Sequence, residues 1–302
     1  MKAVHIALAF AVVAVWGTNF VVIAVGLRDF PPFLFATLRF FFSALPWLIF
    51  LPRPKVRWRW LMLYGAFLGA GQFGLLFYAM RSDIAPGLAS LVVQTQVFFT
   101  IGLSVLLFKE RVALSIIAGT LLACAGLAVI ALHLDKTVTT TGIVAVMAAA
   151  FFWACANVVV KKASIESKLP FRMLNFIVWA SVFAVPPLLA LSLVLEGGEV
   201  DWAALVAART NAWLALAWQV TGNALFGFSA WSWLLTRYDA AVISPYALLI
   251  PVFGVGSSAL LLHEPLPAWK VAAITMVLAG ITVVSMWPHL VRFRVRRGKT
   301  PT

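Results

Sequence analysis

A chain of 302 residues that is 63% hydrophobic and only 11% charged, with a mean hydropathy of +1.01, cannot cover a soluble surface, because a globular domain carries about 25% charged residues. The net charge of +13 suggests nucleic acid, yet the basic residues cluster between apolar runs and in RFRVRRGK near the C-terminus, with no soluble module to present them. Composition excludes a soluble domain, argues against a nucleic-acid partner and predicts a polytopic membrane protein.

About 20 apolar residues cross the hydrocarbon core as a helix. Windows of that size are predicted at 4–27, 33–51, 60–80, 85–107, 113–132, 142–160, 172–195, 212–235, 240–262 and 267–288. The first, HIALAFAVVAVWGTNFVVIAVGL, is too long for a secretory h-region and lacks a small-residue cleavage site, so it is expected to remain as a membrane helix. The separators are short: PRPKVRWRW (52–60), RSD (81–83), KER (109–111) and GGEVD (197–201). The expected fold is an all-α membrane protein of ten transmembrane helices.

With the N-terminus inside, 17 basic residues fall in cytoplasmic segments against five outside (Arg28, Arg81, Lys136, Arg209 and Lys270), while Arg39 lies within a span. That bias predicts two cytoplasmic termini. LLFKERVALSIIAGTLLACAGLAV (106–129) is echoed by LLLHEPLPAWKVAAITMVLAGITV (260–283) at an offset of 154, with identities at Leu106, Leu107, Glu110, Ala118, Ala125, Gly126 and Val129. VWGTNFVV (15–22) likewise echoes FWACANVVV (152–160). The chain reads as two five-helix repeats, 1–137 and 138–290, followed by a basic tail, 291–302. Five spans per repeat force the second to insert upside down. Such inverted halves build the central cavity of many secondary transporters.

All ten acidic residues lie outside the spans or at their edges, so no carboxylate is available at the midplane for a proton relay. Inside the spans stand Asn19, Gln72, Gln94, Gln96, Asn157, Asn175, Gln219 and Asn223, plus Arg39. Trp16 and Asn19 share one helix face, as do Trp153 and Asn157 on the equivalent sixth span. Gln94 and Gln96 point about 200° apart on an α-helix, so one is expected to face a helix neighbour and the other a cavity. These amides either tie helices together or ring a polar cavity for a small zwitterionic or neutral solute, and their number favours the cavity. Arg39 has three roles open: binding a substrate carboxylate, snorkelling, or holding helix ends. Lacking an acidic partner in the membrane, it is assigned to structure or gating. Pro245 and Pro251 are expected to kink their spans. GAFLG (65–69), GTLLA (119–123) and GVGSS (254–258) are expected to let helices approach closely. Cys124 and Cys155 are expected to be small buried packers, since two cysteines without nearby His or acid make no zinc site. No clustered acid, base or nucleophile suggests an enzyme.

WGTNFVVIAVGL followed by PPFLFATLRF resembles the drug/metabolite transporter superfamily in its EamA-type, ten-helix form, over about residues 8–287. GQFGLLFYA, APGLASLVVQTQVFFTI, FFWACANVVVKK and SPYALLIPVFG are similar to segments of the members that export cysteine and O-acetylserine. The resemblance implies a bacterial inner-membrane exporter working by alternating access on a small-molecule substrate, in contact with bilayer lipid and without a cofactor. It also implies a cavity formed by Trp16, Asn19, Gln72, Gln94, Gln96, Trp153, Asn157, Asn223 and Tyr246. Whether such a chain pairs as a homodimer is left open.

Overall fold

The computed structural model describes residues 1–109, 114–133, 138–167, 171–238 and 243–297; Glu110 and Lys136, used above, lie outside them. The described residues are helical, with one isolated antiparallel bridge, Ile84–Val138. In chain order the helices are α1 (Ala3–Gly26), α2 (Pro32–Ala44), α3 (Trp58–Ser82), α4 (Pro86–Phe108), α5 (Leu114–Ala131), α6 (Thr140–Ser167), α7 (Met173–Leu191), α8 (Gly198–Ala207), α9 (210–237), α10 (244–261) and α11 (Ala268–Arg297). Proline opens α2 and α4, where its missing N–H costs nothing.

Among the described residues, five stretches are long and apolar enough to cross a membrane: Ala3–Gly26, Trp58–Ser82, Pro86–Phe108, Thr140–Ser167 and Met173–Ala207. Pro32–Ala44, Ile117–Ile130, Ile250–Leu261 and Ala268–Val283 are shorter apolar helices. The uniform windows expected from hydropathy are therefore interrupted. The helix expected over 33–51 stops at Ala44, since Pro46 has no N–H to return to Phe42.

Other interruptions are changes of winding. α3 widens to a π-helix over Ala66–Gly74 and α9 does so over Gln219–Gly227, beginning and ending 153 residues later. α4 tightens to a 3₁₀ turn over Val93–Thr95, and α10 opens with a 3₁₀ segment, Ser244–Leu249. Each π stretch contains glycine, which tolerates such rewinding.

Small residues bring the helices together as their spacing suggested. A side chain on Gly65 would strike the Ala180 carbonyl, and one on Gly69 would strike Ala184, so α3 and α7 are held backbone to backbone. Gly254 of α10 meets Ser90 of α4 in the same way, and Gly280 of α11 meets Gly119 and Ala123 of α5. α1 sits centrally, packed against α4, α9 and α10. The cysteines depart from expectation: Cys124 is exposed on the outer face of α5 and Cys155 is only half-buried. A thiol is apolar enough to face lipid.

The ions are spent at the helix ends. At one end Arg81 donates to the Leu27 and Phe30 carbonyls at 2.6 and 2.9 Å, and Arg209 pairs with Asp29 at 2.6 Å. The N-cap of α2 is Pro31, which has no side-chain oxygen, and Glu196 supplies the missing acceptors. Its carboxylate takes the Phe33 and Leu34 amides at 2.7 and 2.9 Å. Glu264 accepts from Gly87 N at 3.0 Å and from the buried Lys270 at 3.1 Å. At the other end Arg57 and Arg59 converge on Glu166, and Asn175 donates to the Pro52 carbonyl at 2.8 Å.

Glu196→Ala is expected to lower stability by about 1–2 kcal/mol, the range for a lost N-cap, read as a fall in the thermal midpoint in detergent. Arg209 holds the Asp29 carboxyl below its ordinary value. A depressed carboxylate stabilises the fold above its unfolded value, about pH 4, and loses that effect as pH falls through the folded value. The midpoint difference between wild type and Asp29→Asn is accordingly expected to shrink when the pH is taken below about 4.

Candidate functional site

Between the helices lies a cavity of about 560 Å³, within the range of small-molecule sites. Trp16 and Asn19 reach it from α1, Gln72 from the π stretch of α3, and Gln94 and Gln96 from α4. Trp153 and Asn157 come from α6 and Asn223 from the π stretch of α9. The rest of the wall is largely apolar, including Phe20, Phe73, Phe228 and Trp231.

Gln94 and Gln96 both line the cavity, where an α-helix would turn one away. The 3₁₀ turn at Val93–Thr95 supplies the reason. Three residues per turn bring side chains two apart to within about 120°, against about 160° in an α-helix. Gln96 is braced: its Oε1 accepts from Asn157 Nδ2 at 3.1 Å and from Thr100 Oγ1 at 3.3 Å. Gln94 and Gln72 are not, and each has a buried Oε1 that no donor among the described residues reaches.

Arg39, 2% exposed, stands immediately behind the wall. Nε donates to Gln219 Oε1 at 3.1 Å and Nη2 to Asn223 Oδ1 at 3.2 Å. Gln219 passes the chain on, donating Nε2 to Asn19 Oδ1 at 2.7 Å. The guanidinium carbon lies 3.6 Å from the centre of the Phe73 ring and 4.7 Å from that of Phe40. Among the described residues Arg39 makes no ion pair. Its charge is carried by amide oxygens and ring faces, each charged hydrogen bond contributing about 1.5–3 kcal/mol and a desolvated cation–π contact about 2 kcal/mol. Arg39 therefore neither snorkels nor caps helix ends; it polarises the amides of the cavity wall. The π winding of α9 assists, for Trp16 Nε1 donates to the Asn223 carbonyl at 3.2 Å, and the Trp16 ring packs on Phe228 and Trp231 with centroids 5.3 Å away.

Two expected residues, Tyr246 and Asn175, fall elsewhere. Tyr246 packs edge-on against Phe10 at 5.5 Å, and its neighbour Ala247 takes the place in the wall. The 3₁₀ start of α10 turns successive residues by about 120°, which swings Tyr246 out as Ala247 swings in. Pro251 is buried in the first turn of the α-helical part of α10, and Pro245 stands in the first turn of its 3₁₀ part. Both therefore stand where a helical segment begins, as proline favours. Asn175 belongs to the far end rather than the cavity. Sequence reasoning missed the ring Phe73, and it counted Gln219 among the in-span amides without giving it a place at the site. The signal available was the glycine-rich character of GAFLGAGQFG and QVTGNALFG, the stretches in which the two residues lie.

A helical body around a largely apolar, amide-studded cavity is the architecture of a membrane transporter. The EamA-like transporter family matches the chain twice, at residues 4–132 and 140–286, and the protein belongs to that family. It is 38% identical over 292 residues to a probable amino-acid metabolite efflux pump of Salmonella typhimurium, covering 96% of each chain. It is 37% identical to a probable amino-acid metabolite efflux pump of Escherichia coli, covering 91% of this chain and 93% of that one. An uncharacterized inner membrane transporter of Escherichia coli is 22% identical over 93% of this chain. A solved crystal structure, 20% identical, superposes over 95% of this chain with a TM-score of 0.59, a likeness of fold alone.

In a double-mutant cycle with Arg39→Met and Phe73→Leu, thermal unfolding in detergent is expected to give a coupling of about 1–2 kcal/mol, the worth of a desolvated cation–π pair. A coupling near zero would leave Phe73 as plain packing.

Proposed function

We propose that the protein is an inner-membrane exporter of small amino acids and related metabolites, with cysteine and O-acetylserine as first substrates. It works by alternating access between two inverted five-helix halves, 1–137 and 138–290, in a ten-span body with both termini cytoplasmic. Trp16, Asn19, Gln72, Gln94, Gln96, Trp153, Asn157 and Asn223 make the substrate site. The protein moves its substrate and catalyses no reaction.

The observation that carries the reading is a single cavity whose polar residues come from both family-matched segments. The recurrence of the π stretches 153 residues apart supports two halves of one design. An inverted arrangement has further support in α4: Glu264 touches its Gly87 end, while Lys109 lies beyond Phe108, about 34 Å away for 23 residues at 1.5 Å each. The names of the two relatives above 35% identity support amino-acid metabolites as cargo.

Inside-out vesicles should accumulate labelled amino acids from a panel of cysteine, O-acetylserine, threonine and phenylalanine, assayed with and without a pH gradient. No accumulation of any of them would refute the exporter reading. Gln94→Leu and Gln96→Leu are each expected to insert normally, by immunoblot of the membrane fraction, yet to slow transport about tenfold, the effect of about 1.4 kcal/mol. Normal rates in both would reduce these amides to helix packing.

A further inference from the structure

The amide chain has a direction. Arginine has donors and no acceptor, so Arg39 compels the oxygens of Gln219 and Asn223 to face it. Gln219 must then present its NH₂ group, which compels Asn19 to turn its oxygen inward. Both asparagines are thereby left with Nδ2 groups that bond no atom of the described residues, and both line the cavity. This patch offers donors, with a cation behind it.

Gln72 and Gln94 have the opposite need. They are 3% and 4% exposed, they line the same cavity, and their buried oxygens lack donors. The terminal torsion of a glutamine is broad and roughly two-fold. Half a turn thus carries either oxygen into the cavity once something there can donate to it. An ammonium brings three donors.

We propose that the cavity recognises a zwitterion by its two charges, the carboxylate on Asn19 Nδ2 and Asn223 Nδ2 and the ammonium on Gln72 Oε1 and Gln94 Oε1, with Arg39 as the positioning residue that fixes which is which. This rests on the exporter reading and deepens it, since it makes the α-amino-acid group, rather than the side chain, the feature that the protein reads. The apolar remainder of the wall then tolerates side chains of differing size. A cationic solute without a carboxylate is rejected by Arg39, and an anion without an ammonium leaves the two glutamine oxygens unpaired.

The test is counterflow in proteoliposomes of the full-length protein, with labelled cysteine and labelled phenylalanine. Competitors are the analogues lacking one charge: cysteamine and 3-mercaptopropanoate, 2-phenylethylamine and 3-phenylpropanoate. Each is expected to compete at least about tenfold more weakly than its parent, as when a site built to bond a polar group meets a ligand without it. Gln94→Glu is expected to admit the amines, narrowing that gap for cysteamine and 2-phenylethylamine but not for the two acids. Arg39→Gln is expected to narrow it as well, whereas a merely structural arginine would lower the rate and leave the ratios unchanged. Ratios within one variant do not depend on how much protein inserts. Equal competition by parent and analogues, with transport intact, would overturn the proposal and leave the exporter reading standing. Unchanged ratios in both variants would overturn it too. Absence of transport by the wild type would overturn both.

Discussion

No water is available in hydrocarbon to satisfy a guanidinium, so Arg39 must find every partner in the protein, and its inability to accept a hydrogen bond orders what surrounds it. One donor-only group at the head of a chain sets the orientation of Gln219, Asn223 and Asn19 in turn. Neutral amides could otherwise flip freely and present either face. Because no carboxylate answers Arg39 among the described residues, its field reaches the cavity undiminished by a counter-ion. The ring of Phe73, which belongs to the cavity wall and also covers the guanidinium, separates that charge from the interior without neutralising it.

Backbone winding is the second constraint, and it acts on the same residues. A π stretch spreads a helix and loosens the carbonyls from their own ladder, which lets the Asn223 carbonyl accept from Trp16. Gln72 and Asn223 both stand on π stretches, and Gln94 on the 3₁₀ turn of α4. Half of the six cavity amides thus stand where the helices depart from α geometry, and glycine permits the two π departures. The same glycine-rich surfaces let α3 lie against α7, so close packing and irregular winding come from one composition.

The acidic residues have a different task. Glu196 closes the start of α2, and Glu264 ties the start of α4 to Lys270. Asp83 holds the Thr139 hydroxyl at 2.8 Å, and Glu166 gathers Arg57 and Arg59 at the other end. Several of these contacts join the first family-matched segment to the second. Fixing the ends by ions leaves the middle to amides and aromatics.

Much of this was legible in the chain alone. The charge deficit established a membrane protein, because a soluble surface cannot be built without charges. The repeats near 106–129 and 260–283 announced an internal relation, and the in-span amides Asn19, Gln72, Gln94, Gln96, Asn157 and Asn223 named most of the polar cavity wall. These are one-dimensional signals, in which the cost of a polar group in an apolar run is visible without knowing its neighbours. Tertiary structure alone decided that Gln94 and Gln96 share one wall, that Tyr246 turns away, and that Arg39 is tied to amides 180 and 184 positions distant. Local winding and long-range hydrogen bonds set those outcomes. Neither is written in periodicity, because a helix read at a constant 100° per residue cannot reveal where it rewinds.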